Sequence, residues 1–260
     1  MSTLFVFGDS YAEDTPGSWT RLLSNSLGFN LKNFARGGSC LEFSYIKLLE
    51  NIKKIKKGDV VIFVLTSSVR IDLEYTITEQ PTFGWLTNNL QRFPNPDFVK
   101  EYLLNRSMDI VDNKHLLYIS FIHMLSTQLP ETKFIVIPGF PKEAKINFKL
   151  STHNFLFLNS FSLQKISNKE WNWFKVSMKS FERIFKIDLR ENHLTVPNLK
   201  QLASMVEKVI KHWDSTYYVQ DEFFKKIINK KVSTIDDIYK YYVLTGLINE
   251  ERFLKLKSDV

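Results

Sequence analysis

Two hydrophobic patterns alternate along the chain. Short unbroken apolar runs stand at 4–7, 60–65 and 134–138. Runs of this length, bounded by turn residues, predict strands buried on both faces, as in a parallel sheet. Between them, apolar residues recur at three- and four-residue spacing, which predicts amphipathic helices. Trp19, Leu22, Leu23 and Leu27 form one such stripe, with Pro16 suited to its first turn and Gly28 to its stop. Residues 30–34 read as a short extended piece. A second helix is expected over 41–55, broken by Gly58-Asp59 ahead of the strand at 60–65. The order strand, helix, strand, helix, strand argues for a parallel sheet covered by helices through right-handed crossovers.

The later chain continues the pattern less evenly. Residues 71–96, with Trp85 and several prolines, are too long for a plain connector and read as a lid or substrate loop. Helices are expected over 97–105 and 114–128, and a fourth strand over 133–138, stopped by Pro138-Gly139. A short strand near 155–158 and an aromatic-rich helix over 168–185 follow. Thr195 is a plausible N-cap with Pro197 in the first turn behind it. Leu199, Leu202, Ala203, Val206, Val209, Ile210 and Trp213 form the stripe of that helix. From about Ser215 only short, Lys-rich helical pieces remain. The expected organisation is an α/β domain over 1–214 and a C-terminal helical extension over 215–260, with no internal repeat.

Composition narrows this picture. Hydrophobic residues make up 44% of the 260 positions, enough for a full core and too many for a disordered chain. The single cysteine, Cys40, excludes an internal disulfide and a Cys-rich zinc site. No basic region precedes an apolar run at the start, and no run is long enough to span a bilayer, so a cytoplasmic protein is expected. The net charge of +7 favours an anionic partner in general. The lysines are scattered, with clusters at 53–57, 225–226 and 230–231, which fits solvated helix faces better than a nucleic-acid stripe. A nucleic-acid role for the basic C-terminal part would show as binding that falls steeply with salt.

Candidate chemistry gathers at predicted strand ends. Ser10 follows the first strand in Gly8-Asp9-Ser10. Asn33-Phe-Ala-Arg-Gly-Gly38, Thr66-Ser-Ser-Val-Arg70 and Asp188 to His193 lie after strands or before helices. In a doubly wound sheet such points share one edge. A serine hydroxyl there is a nucleophile if a base stands near; otherwise Asp9 and Ser10 only shape a turn or cap a helix.

These stretches resemble those of the SGNH (GDSL-type) hydrolases, esterases and acetylhydrolases. The first block of that family is an apolar strand followed by Gly-Asp-Ser, matched by residues 4–10. Its second block pairs an Asn with a Gly five residues on, matched by Asn33 and Gly38. Its last block has an Asp and a His before a helix, matched by Asp188, His193-Leu-Thr and the helix behind it. The resemblance covers about the first 215 residues. It implies a flavodoxin-like three-layer α/β/α sandwich with a central parallel sheet and a Ser10–His193–Asp188 triad cleaving a carboxylic ester. The ester would be an acetyl or acyl group on a polar carrier such as a sugar. It also implies an oxyanion held by the backbone N–H groups of Ser10 and Gly38.

Two departures stand out. The family's third block, Gly-x-Asn-Asp, is replaced by residues 66–70, so Thr66 or Ser67 would have to supply the missing oxyanion donor. The carboxylate normally three before the His is here Arg190; the nearest Asp is Asp188, with Glu191 as the other candidate. These departures point to a divergent branch of the kind encoded by phages. They also support a second reading, a catalytically impaired protein that uses the cleft for binding or structure. Arg70 either clamps an anionic substrate in the cleft or pairs with Asp72 or Glu74 on the surface, and Arg36 carries the same ambiguity. Asp9 would mainly fix the nucleophile turn. His115, His123, His153 and His212 read as structural, because none has metal-ligand spacing with another His or with Cys40. The reading calls for no metal and no cofactor.

Overall fold

A computed structural model describes residues 1–15, 17–67, 97, 108–140, 145–146, 148, 152–159, 161–166, 194, 196–213, 239, 243 and 249–258. The expected lid at 71–96, all but Asp97 of the helix at 97–105 and the whole helix at 168–185 lie outside these residues. So do Pro16, Arg70, Asp188, His193, Thr195 and most of the C-terminal extension.

Five strands form one sheet: β1 (Thr3–Phe7), β2 (Asn30–Asn33), β3 (Val60–Leu65), β4 (Lys133–Pro138) and β5 (Phe155–Phe157). Every pairing is parallel, in the order β2-β1-β3-β4-β5. This is a doubly wound order, and its reversal point lies between β1 and β3.

The unbroken apolar runs have a direct cause. Leu4, Val6, Val60, Ile62, Val64, Ile135 and Ile137 point to one face, against Trp19 and Leu23 of α1 (Trp19–Leu27) and Leu202, Val206 and Val209 of α5 (Val196–Lys211). Phe5, Phe7, Val61, Phe63, Phe134 and Val136 point to the other, against Leu41 and Leu48 of α2 (Leu41–Asn51) and Ile119 and Ile122 of α3 (Met108–Gln128). Alternate side chains are thus apolar on both sides, so the period-2 alternation of a half-exposed strand vanishes. Each Leu-sized side chain buried this way is worth about 1.5–3 kcal/mol. The result is an α/β fold with helices on both faces of a parallel sheet. Two short helices complete the described set, α4 (Leu163–Ile166) and α6 (Glu250–Ser258).

Helix ends follow local chemistry. Ser18 caps α1, its Oγ accepting the Arg21 N–H, and Gly28 closes the helix in the left-handed region at φ +66°. Pro16 therefore precedes the cap rather than entering the first turn. Helix α2 ends at Asn51 and tightens into a 3₁₀ turn, Ile52–Lys54, short of the expected 41–55 span. Ile55 is already extended there and buried against the sheet. Helix α3 begins at Met108, six residues ahead of expectation. In α5 the stripe is as read, with Met205 also buried and Leu199 and Trp213 packed at its edges. Phe253 of α6 is buried, its ring against Tyr239. Among the described residues no helix is long and apolar enough to cross a membrane.

Candidate active site

The site begins with a backbone that no side chain could occupy. Gly8 leaves β1 at φ +149°, and a Cβ there would stand 2.8 Å from Val64 Cβ. Only glycine lets the chain turn off the sheet this close to β3. The Gly8 carbonyl then accepts from the Arg36 N–H at 3.1 Å and from Ser39 Oγ at 2.8 Å. These two bonds join the loop after β1 to the loop after β2.

The Ser10 turn is held from several sides. Ala12 N–H donates to the Asp9 carbonyl at 3.0 Å, closing the turn over Ser10. Trp19 Nε1 donates to the Tyr11 carbonyl at 2.7 Å. Asn33 donates through its side-chain amide to the Ala12 carbonyl at 2.7 Å and to Thr20 Oγ1 at 3.3 Å, while its own oxygen accepts the Ala35 N–H at 2.8 Å. Asn33 therefore ties the loop carrying Ser10 and the glycine loop together. Gly38 sits in that second loop at φ +76°, just before Ser39.

Asp9 is fully buried. Its Oδ1 accepts the Tyr11 N–H at 3.1 Å, and its Oδ2 accepts from Thr66 Oγ1 at 2.9 Å. The Thr66 hydroxyl also lies 3.1 Å from the Ser39 carbonyl. One hydroxyl proton is thus shared between two internal acceptors. Of the two donors considered for the oxyanion, Thr66 is turned into the fold, and Ser67 after it is half-buried.

Ser10 is half-buried and lines a cavity of about 30 Å³ with Tyr11, Glu13, Thr15, Ser18, Trp19, Leu194 and Leu199. That is room for about one water molecule. Leu199 comes from α5 and Leu194 from just ahead of it, so the cavity joins the start of the chain to its final third. The carboxylate of Glu13 faces the glycine loop, with Oε2 3.2 Å from where a Gly37 Cβ would be.

Behind the site lies a second polar group from α3. His115 is buried, and its Nε2 is 2.8 Å from the Thr66 carbonyl. Lys114 beside it pairs with Glu42 in the first turn of α2. One turn on, burial, with Glu42 and Cys40 nearby, pushes the Tyr118 hydroxyl up to about 12.

The structure thus brings Asp9, Ser10, the Gly38 loop and Thr66 to the β1/β3 reversal point. Glu13 and His115 belong to the same neighbourhood; Glu13 was not singled out from sequence, and His115 was read there as structural. Glu13 sits in a loop without periodicity, and His115 looks like any helix position. Among the described residues, no group of three or more His, Cys, Asp or Glu side chains is placed to hold a metal ion.

No family model matches the chain, and no curated protein matches it.

Proposed function

We propose that this chain is a serine hydrolase of the SGNH type, cleaving a carboxylic ester on a polar carrier. The observation that carries the reading is the shared cavity: Ser10 and Leu194, the residue after His193 in sequence, both line it. In this reading Ser10 Oγ attacks the carbonyl carbon while His193 takes its proton. The tetrahedral intermediate collapses as His193 returns that proton to the leaving alcohol. Water then repeats the sequence on the acyl-enzyme, releasing the acid. Asp188 orients the imidazole. The Ser10 and Gly38 N–H groups face the oxyanion, with Ser67 as the side-chain donor in place of the family's Asn. Losing one such donor costs about 10²–10³ in rate, so a slow enzyme is expected unless Ser67 compensates.

Several features support this assignment. The turn carrying Ser10 is held by Asp9, Asn33 and Trp19, as a rigidly placed nucleophile requires. The cavity is small, which suits a short acyl group such as acetyl. Glu13 is the charged side chain among the described residues of its wall, which favours a neutral or cationic carrier.

A fluorophosphonate probe tests the reading directly. Wild-type protein is expected to be labelled, and Ser10→Ala and His193→Ala are not. Labelling that survives Ser10→Ala, or none in any protein, overturns it. One observation favours the second reading, an impaired binding module on the same fold: the Thr66 hydroxyl is engaged with Asp9 and Ser39. That reading predicts a folded, unlabelled wild type.

A further inference from the structure

We propose that His115 is a positioning residue for the Ser10 turn, acting from α3 through Thr66 and Asp9. A backbone carbonyl offers only lone pairs, so the 2.8 Å contact requires His115 Nε2 to carry a proton and to donate it to the Thr66 carbonyl. Thr66 stands one residue beyond the last β3 pairing, Leu65 with Pro138. The Leu65 carbonyl still accepts the Gly139 N–H at 2.8 Å, and the imidazole adds a hold on the next carbonyl, that of Thr66. With the Thr66 peptide held, its Oγ1 is aimed at Asp9 Oδ2, 2.9 Å away. Asp9 in turn accepts the N–H of Tyr11, the residue next to Ser10. Three consecutive hydrogen bonds therefore run from α3 to the nucleophile turn.

The anchor is itself held. The ring is 2% exposed, so it has little freedom to swing. The neighbouring Lys114 ties the same turn of α3 to Glu42 of α2. Gln reaches to a similar distance with an N–H donor, whereas Asn is too short and Leu has none.

The coupling itself does not rest on the hydrolase reading; its effect on rate does. The test uses the full chain with His115→Gln, His115→Asn and His115→Leu, and Val209→Ala as a destabilised control on the opposite face of the sheet. Amide hydrogen exchange at Tyr11 reads the coupling without any chemistry. Exchange there is expected to quicken about tenfold or more in the Asn and Leu variants relative to Val209→Ala, and to stay near wild type in the Gln variant. Fluorophosphonate labelling of Ser10 is expected to slow about tenfold in Asn and to recover in Gln, and ester turnover to lose kcat with KM nearly unchanged. If the Leu variant does not fold, the Asn-against-Gln comparison decides. Unchanged Tyr11 exchange in the Asn variant overturns the proposal. So does faster exchange with undiminished labelling. Faster exchange in a protein whose wild type is never labelled supports the coupling while overturning the hydrolase reading.

Discussion

The Thr66 hydroxyl meets the Asp9 carboxyl at 2.9 Å in the buried space between β1 and β3. Both residues follow a strand end, and their contact locks the turn carrying Ser10 to the centre of the sheet. Thr66→Val keeps the shape and removes the donor, leaving Asp9 short of a partner in the interior. The expected cost is about 2 kcal/mol, since a buried acceptor without its donor loses its full desolvation penalty. Thr66→Ser keeps the hydroxyl and is expected to cost about 1 kcal/mol or less. Chemical denaturation measures both, and a valine variant as stable as wild type would remove the contact from the account.

Gly8 makes a sharper case. Alanine there needs φ +149° and puts its Cβ 2.8 Å from Val64 Cβ, on a rigid central strand. Backbone strain and overpacking each cost about 1–3 kcal/mol. Gly8→Ala is therefore expected to lower stability by about 3 kcal/mol or more, seen as a shifted denaturation midpoint. Val64→Ala keeps the Cβ that the new methyl meets, and the Val64 carbonyl stands 3.2 Å away, so pairing the two substitutions is expected to leave the loss in place. Recovery in the double variant would mean that the γ-methyl groups of Val64, and not its Cβ and backbone, carry the clash.

Much of this arrangement was legible in the sequence because its cause is local. Apolar runs of four to six residues have one economical use, a strand covered on both faces, and all three long runs became central strands. Ser10 and Asn33 could be placed because each stands at or just past a strand end. His115 could not be placed that way. Its partner Thr66 is 49 positions away, and nothing in a helical stripe marks which side chain meets a strand end. Thr66 was read as an oxyanion donor because its hydroxyl type and strand-end position fitted. The direction of that hydroxyl depends on Asp9 and Ser39, which only the packed sheet brings near it. Glu13 was missed for the same reason, since its nearness to Gly37 exists only once β1 and β2 are paired.

Alkaline pH offers a test away from Ser10. The folded chain holds the Tyr118 proton to about pH 12, chiefly because of burial, while an unfolded tyrosine releases it near pH 10. Between those values the unfolded state binds fewer protons, so stability falls as pH rises. Burial also raises Tyr45, so it contributes in the same direction. Tyr118→Phe is expected to flatten the decline in part, measured as urea midpoints at about pH 9 and about pH 11. An unchanged slope would mean that Tyr118 ionises alike in both states.

Glu13 lines the Ser10 cavity and turns its carboxylate toward the glycine loop. On the proposed chemistry, negative charge develops on the substrate oxygen beside that loop. A carboxylate nearby opposes this by about 1 kcal/mol in a partly hydrated cleft. Glu13→Gln is therefore expected to raise turnover of a neutral ester roughly fivefold. The gain should shrink in high salt, because screening weakens the repulsion it removes. A cationic carrier reverses the balance, since its charge is attracted to the wall that repels the oxyanion. Acetylcholine and 3,3-dimethylbutyl acetate have the same shape and differ in charge. Wild type is expected to prefer the choline ester, and Glu13→Gln to lose that preference. The main-chain bond from the Thr15 N–H to the Glu13 carbonyl is untouched by the substitution. Equal slowing on both esters would therefore mean that the side chain serves the loop and does not select charge.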